Sequence, residues 1–379
     1  MSKDKLQTLQ FFAQEGEIHL GIGHPAARLL PKNILQEASQ HLYKQTSVDY
    51  LQYGAAAGDA HFRISLADFL SKGYHLDVQP ETLLISNGIS QALDMLCATF
   101  TRAGDTIFVE EPSYFLALHI FQNYNLNIIP IPMDNKGLNT DTVEELLKTH
   151  TPRFIYTIPV HQNPSGVTLS EERRKNLLEL AEKHQFLIVA DEVYQLLSYS
   201  SNMSRPLAAF VDSQLVISLG SFTKILAPGL RLGWIQAHPE HLEKLMARGV
   251  IRSGGGLNPF TSAVVKTAID LGLQDSYINK LKTIYAENLN AMDSALKNSA
   301  FTYHKPGGGY FFWLELPEGV TAEALHNEAL KHGVNFQVGS KFSSEAGLSN
   351  FIRLCFSYYD ASDLINGVER LGASLESIS

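Results

Sequence analysis

Leu215-Val216-Ile217-Ser218-Leu219-Gly220-Ser221-Phe222-Thr223-Lys224 continues through Ile225-Leu226-Ala227-Pro228-Gly229-Leu230-Arg231. An apolar, β-type run ends in small and hydroxyl residues. A lysine follows, and seven positions later an arginine. A lysine just past a buried strand, with hydroxyls and an arginine at hand, can form a Schiff base beside a bound phosphate. Taken alone it reads first as a solvated loop charge. Its neighbours along the chain decide between the two.

The same punctuation recurs on the N-terminal side. Glu81–Ser86 is a short strand that breaks at Asn87-Gly88 and passes into a helix beginning around Ile89 and Ser90. Such a turn is an anion site, because unpaired N–H groups and the helix dipole face it. Thr106–Glu110 is a strand, then come Glu111-Pro112-Ser113-Tyr114 and a helix from Phe115. Arg153–Thr157 is followed by Pro159–Gly166 and by a helix for which Ser170 is a good N-cap. Phe186–Ala190 is apolar throughout, as in a strand buried on both faces, and ends at Asp191-Glu192-Val193-Tyr194. Alternating strands and helices predict an α/β fold with a mostly parallel sheet and helices on both faces. Ligands of such sheets sit at the carboxyl ends of the strands. Gly88, Tyr114, Asn163, Asp191 and Lys224 all fall there.

Elsewhere, residues 60–72 show helical spacing closed by Gly73. From about residue 275 the organisation changes. A long amphipathic helix from Tyr277 to about Ser299 precedes a strand at Tyr310–Leu316 and a helix after Thr321. Strands at Val334–Val338 and Phe351–Phe356 and a terminal helix from Ser362 complete a smaller α+β domain. The expected division is 1–45, an N-terminal segment joining the small domain; 46–280, the large domain; and 281–379, the small domain. Gly21, Gly23 and Ala26 fit a dinucleotide-type G-x-G-x-x-A pattern, but Pro25 removes a donor inside it. The stretch reads better as an extended segment approaching a ligand or another backbone.

The 379 residues, 45% hydrophobic and 18% charged, suffice for two domains with sizeable cores. A net charge of -9 argues against a nucleic-acid partner. Cys97 and Cys355 sit in apolar runs and read as free buried thiols, with no disulfide framework and no metal spacing. Met1–Gln7 lacks a signal core and no run approaches membrane length, so a soluble, cytoplasmic protein is expected. The Asn202-Met203-Ser204 sequon then carries no meaning.

A carboxylate at the end of an apolar strand, Asp191, is costly without a partner. A protonated pyridine nitrogen would satisfy it, and pyridoxal phosphate needs that pairing. The competing reading is a helix N-cap. Lys224 would bond the cofactor's aldehyde and then serve as general base and acid. Asn163 and Tyr194 would reach the phenolic oxygen, and Tyr114 would stack on the ring. Ser221, Thr223 and Arg231, with the helix start at Ile89 and Ser90, would hold the phosphate. Arg353, a charge inside the apolar run Phe351–Phe356, suits a substrate carboxylate, with an internal ion pair as the alternative. Ser221–Lys224 also matches S-x-x-K, but the Ser-Asp-Asn and Lys-Thr-Gly of penicillin-binding enzymes are missing.

These motifs resemble the fold-type I pyridoxal-phosphate enzymes, class I/II aminotransferases. The branch with kynurenine and 2-aminoadipate aminotransferases and the aminotransferase-like domains of MocR-type regulators is most similar. The resemblance covers most of the chain. It rests on Pro159–Gly166, Asp191–Tyr194, Ser221–Lys224 with Arg231, and Arg353–Ser357. It implies a seven-stranded type of sheet and the cofactor roles above. It also implies carboxylate binding by Arg353 and Asn163 with the Gly23 backbone nearby. Tyr53 would reach the phosphate of a neighbouring subunit, hence a homodimer. Two departures stand out. Ile89 offers only its N–H where a hydroxyl is common, and Ser253–Pro259, after Arg252, is unusually Gly-rich. The leading expectation is transfer of an amino group from an L-amino acid to a 2-oxo acid in a ping-pong cycle. A β-eliminating lyase on the same fold is the second reading. A ligand-sensing regulator is the third, set aside because the chain is acidic and opens at the fold itself. Tyr310, Phe312 and Leu257 read as an apolar entrance with room for a medium or large side chain.

Overall fold

The computed structural model describes residues 16–199, 203–254 and 256–378. Met1–Gln7, Asn202 of the sequon and Gly255 of the Gly-rich loop lie outside the described residues. The buried runs form one sheet. Val216–Ser221, Leu187–Asp191, Phe154–Thr157, Thr106–Glu111 and Asn127–Asp134 lie side by side and parallel. Gly233–Gln236 runs antiparallel against Val216–Ser221, and Leu83–Ser86 forms the edge beyond it. At the opposite edge, Gly137–Leu138 folds back on Asn127–Asp134. Among the described residues the sheet therefore has seven strands of four or more residues and one of two.

Successive residues of a strand point to opposite faces, and the core divides accordingly. Ile107, Val109, Tyr156, Val189, Ile217 and Leu219 pack with Leu93, Leu96, Leu118 and Phe121 of the helices Ile89–Phe100 and Phe115–Asn123. The intervening Phe108, Ile155, Ile188 and Val216 pack with Val143, Leu177 and Leu180 of the helices Thr140–Leu146 and Glu171–His184. Helices thus cover both faces, and the functional side chains are left to the strand ends.

Local signals set several boundaries as expected. Ser170 Oγ accepts from Arg173 N–H at 3.3 Å at the start of Glu171–His184, and Thr321 does the same for Ala324 N–H at 3.2 Å. Gly73 does not close its helix. Ala60–Tyr74 runs on to His75, which takes the left-handed conformation at φ 54. Gly73 instead admits Leu196, whose Cδ2 would lie 2.8 Å from a β-carbon there. Val334–Val338 is not one strand. Val334–Asn335 pairs in parallel with Ile18–His19, while Gln337–Val338 joins an antiparallel sheet ordered Thr302–Tyr303, Phe311–Glu315, Phe351–Cys355, Gln337–Val338. That small sheet places Arg353 opposite both Trp313 and Gln337. Cys97 and Cys355 are buried free thiols. No helix of the described residues is long and apolar enough to cross a membrane.

Candidate active site

Gly233 faces Ser221 on one side and Ser86 on the other. A β-carbon on Gly233 would come within 2.8 Å of Gly88 Cα. The turn after Leu83–Ser86, the turn Ser221–Lys224 and Arg231 therefore share one end of the sheet. Gly88 (φ 81, ψ 176) precedes the helix Ile89–Phe100, which has no side-chain cap. Its first N–H groups have no intrahelical partners. Arg231 Nη2 donates to the Asn87 carbonyl at 3.2 Å. Ser221 Oγ lies 2.8 Å from Thr223 Oγ1 and accepts from Thr223 N–H at 3.1 Å. Ile89 is half-buried and Ser90 exposed at the helix start. Backbone donors, two hydroxyls and a guanidinium thus gather at this end of the sheet, the kind of donor set that an anion calls for.

Asp191 ends its strand opposite Leu219, one strand from Ser221. It is 2% exposed. Tyr156 donates its hydroxyl to Oδ2 at 2.8 Å, and Val193 N–H donates to Oδ1 at 3.3 Å. Burial pushes the carboxyl up to about 6, against the pull of Tyr156, Val193 and the charge of Lys224. It caps no helix, since the next helical turn, Gln195–Leu197, starts after Tyr194. Both of its donors are neutral, so a cationic nitrogen would complete it.

Lys224 is half-buried, and its Nζ donates to the Gly23 carbonyl at 2.7 Å. The Tyr310 ring lies 5.2 Å from Nζ, and its hydroxyl donates to the Lys224 carbonyl at 3.0 Å. Desolvation draws the ammonium down to about 8. At pH 8 about half the amine is then free, against well under ~1% for an ordinary lysine. A free amine is the nucleophile that a carbonyl needs.

Arg353 is 4% exposed. Nη1 donates to Asn163 Oδ1 and Nη2 to the Gly21 carbonyl, each at 2.9 Å. Its guanidinium lies 4.1 Å from the Phe311 ring centroid and 4.9 Å from that of Phe342. Both hydrogen bonds go to neutral oxygens and Nε has no partner among the described residues, so the internal ion pair does not form. Gly23, beside it, is closely packed: a β-carbon would come within 3.2 Å of the Phe311 ring, which would have to shift by a few tenths of an ångström, and 3.5 Å of Arg353.

Burial holds the Tyr114 phenol up at about 12 and Tyr194 well above its ordinary value, so both stay protonated. The charges acting on Tyr114 are those of Asp191, Arg353 and Arg231. Arg353, Asp191 and Arg231 also act on Lys224. The sequence-predicted residues thus converge, with one exception. The exception is Tyr53, which is 86% exposed; the residue after it, Gly54, bridges to Gly256.

Three participants escape sequence reading. Tyr156 resembles strand filler, although its alternate position in Phe154–Thr157 puts it on the face of Asp191. Tyr310 and Phe312 do not form an entrance: both are fully buried, and Tyr310 packs against Lys224. Asn258 donates through Nδ2 to Asn87 Oδ1 and, at 2.7 Å, to the Arg231 carbonyl. No local signal in the sequence marks that reach.

A buried acid with only neutral donors, an uncapped helix start beside Arg231, and a lysine with a lowered pKa fit pyridoxal phosphate. The comparisons agree. A model of the family Aminotransferase class I and II matches residues 15–371. Aromatic-amino-acid aminotransferase 1 of Thermococcus litoralis is 34% identical, over 95% of this chain and 88% of its own length. The 2-aminoadipate transaminase of Thermus thermophilus is 32% identical, over 98% and 93%. The crystal structure of Pyrococcus horikoshii kynurenine aminotransferase, in complex with PMP, superposes with a TM-score of 0.90 at 32% identity, covering 100% of this chain and 97% of that one. This chain belongs to the class I and II aminotransferases and is a pyridoxal-phosphate-dependent transaminase of fold type I.

Proposed function

We propose that the chain moves an amino group from an L-amino acid to a 2-oxo acid in a ping-pong cycle, with Arg353 as the carboxylate anchor for both. One observation carries this reading. A guanidinium at 4% exposure, bonded only to neutral oxygens, lacks the anion that buried arginines ordinarily have. A substrate carboxylate supplies it bidentately, with Asn163 and the Gly23 backbone alongside.

Pyridoxal phosphate, when bound, supplies the electron sink that lets the substrate's α-hydrogen leave as a proton. Asp191 would hold the ring nitrogen, Tyr114 would stack on the ring, and Asn163 and Tyr194 would bond its phenolic oxygen. Ile89, Ser90, Ser221, Thr223 and Arg231 would bind the phosphate. Lys224 Nζ would receive the α-proton and return it, a task suited to an amine whose pKa is about 8. Of the segment 1–45, the described residues 16–45 would form the smaller domain with residues 281–379, and 46–280 the larger one; residues 1–15 lie outside the described residues.

The homodimer belongs to the same reading. Tyr43, Val48, Leu51, Tyr53 and Phe260 are exposed. They lie on the helices Lys32–Tyr43 and Pro259–Asp270 and the segment between Val48 and Tyr53, which pack together through Ala38, Leu42, Tyr50 and Val264. A second copy covering this face would bring Tyr53 to the partner's phosphate. The protein acts in the cytoplasm, in keeping with its two unpaired cysteines.

The test is a panel of amino donors against 2-oxoglutarate and pyruvate with ammonia measured alongside. Aromatic amino acids, 2-aminoadipate and kynurenine, the substrates in the relatives' names, belong in it. Amino-group transfer without ammonia is expected. Ammonia without transfer would favour the lyase.

A further inference from the structure

The Gly-rich loop Ser253–Pro259 has a place in the geometry. Asn258 sits at the N-cap of the helix Pro259–Asp270 in the left-handed conformation, φ 51, yet its side chain caps nothing there. An asparagine at that position ordinarily bonds its own helix. Here both amide hydrogens are spent elsewhere. One goes to Asn87 Oδ1, 171 positions away, and the other to the Arg231 carbonyl, 27 positions away. Asn87 is the residue before Gly88, and Arg231 is itself left-handed at φ 47. The two acceptors therefore belong to the two halves of the anion cradle: the helix-start turn and the arginine. Arg231 Nη2 closes the triangle on the Asn87 carbonyl at 3.2 Å. The loop can reach this far because it lies flush on its neighbour. Gly256 N–H donates to the Gly54 carbonyl at 2.9 Å, and a β-carbon on Gly256 would fall 1.8 Å from the Ala55 carbonyl oxygen.

We propose that Asn258 is a positioning residue for the cofactor phosphate: it fixes the Arg231 backbone against the Asn87-Gly88 turn so that both address one anion. This rests on the reading that the turn and Arg231 bind that phosphate. Among the described residues, no other side chain bonds the Arg231 carbonyl, so without the amide only Arg231's own Nη2 ties it to the turn. The cost falls on the phosphate and not on the ring.

The experiment measures cofactor affinity of the full-length protein by fluorescence on adding pyridoxal phosphate back to cofactor-stripped enzyme, in parallel with pyridoxal, which lacks the phosphate. Asn258→Gly keeps the left-handed backbone accessible and removes only the amide. Removing two hydrogen bonds is expected to weaken pyridoxal phosphate roughly tenfold, and pyridoxal by less than about twofold. Arg231→Ala should weaken pyridoxal phosphate at least as much. The double variant should be no weaker than Arg231→Ala alone, because Asn258 acts through the arginine. If Arg231→Ala weakens binding and Asn258→Gly does not, the positioning role is wrong and the cradle stands. If neither variant weakens it, the cradle itself is misassigned. Equal losses for pyridoxal phosphate and pyridoxal, or additive losses in the double variant, would also overturn the proposal. Should Asn258→Gly not fold, Asn258→Asp, which tolerates the same backbone and lacks both donors, is expected to show the same phosphate-selective loss. Wild-type affinity in it contradicts the proposal.

Discussion

Arg353 Nη1 and Asn163 Oδ1 meet at 2.9 Å across 190 positions of sequence. One side chain comes from the small sheet and the other from the turn after a strand of the large sheet. Their bond fixes where a substrate carboxylate would sit relative to the ring that Asn163 is proposed to touch. Arg353→Ala removes the guanidinium that donates to Asn163 Oδ1 and to the Gly21 carbonyl. The amino-acid KM should rise and kcat/KM fall by about 10²-fold or more, because a charge-assisted bidentate pair is then missing from both the ground state and the transition state. Cofactor absorbance should persist. An unchanged KM would assign Arg353 a structural role.

Asp191 yields a pH prediction with a definite sign. Its carboxyl, at about 6 in the folded chain against an ordinary value of 3.8, holds a proton more tightly folded than unfolded. The wild-type apoprotein should therefore lose stability as pH rises from about 4 to about 6, and stay lower above that. The difference between the two values corresponds to about 3 kcal/mol. Asp191→Asn has no such titration, so its apoprotein should gain on the wild type by up to that amount between about pH 4 and about pH 8. Denaturant melts at the two pH values measure it. The same variant should bind pyridoxal phosphate more weakly and turn over far more slowly, since it cannot hold a protonated ring nitrogen. Parallel pH dependences in the two apoproteins would contradict the assignment.

What the sequence discloses and what it hides follow from range. Strands buried on both faces announce themselves as apolar runs, and the chemistry-bearing residues directly after them, Asp191 and Lys224, are readable for that reason. Asn127–Asp134 does not read as a strand, because Pro130 and Pro132 argue against one. Two positions apart, they fall on one side of a strand whose outer neighbour covers only Met133 and Asp134, so neither proline need break a ladder. Gly233–Gln236 is short and opens on a glycine that packs against Gly88, which hides it from a β-pattern. The links Tyr156–Asp191, Tyr310–Lys224 and Asn258–Asn87 span 35, 86 and 171 positions, and a single sequence carries no trace of such pairings. Tyr310 is legible as an aromatic but not as one buried beside the lysine.

The proposed reach of Tyr53 across a dimer can be tested by complementation. Chains carrying Lys224→Ala and chains carrying Tyr53→Ala are each impaired. If Tyr53 serves the partner's site, co-expression assembles heterodimers with one intact site: Lys224 from one chain and Tyr53 from the other. Activity should recover toward about a quarter of wild type if subunits mix at random, since half the dimers are mixed and each has one intact site of two. The assembly should sediment at twice the 42.0 kDa chain mass. No recovery, with mixed dimers shown to form, would place Tyr53 outside the neighbouring site.

The central claim is that Lys224 is the residue to which the cofactor bonds. Borohydride reduction of the loaded protein, followed by peptide mass mapping, tests it most directly. The phosphopyridoxyl mass should be found on the peptide containing Lys224 and on no other lysine. Lys224→Ala should take up no reducible cofactor and lose turnover by at least about 10³-fold. Label on a different lysine, or wild-type transamination by Lys224→Ala, would contradict the assignment.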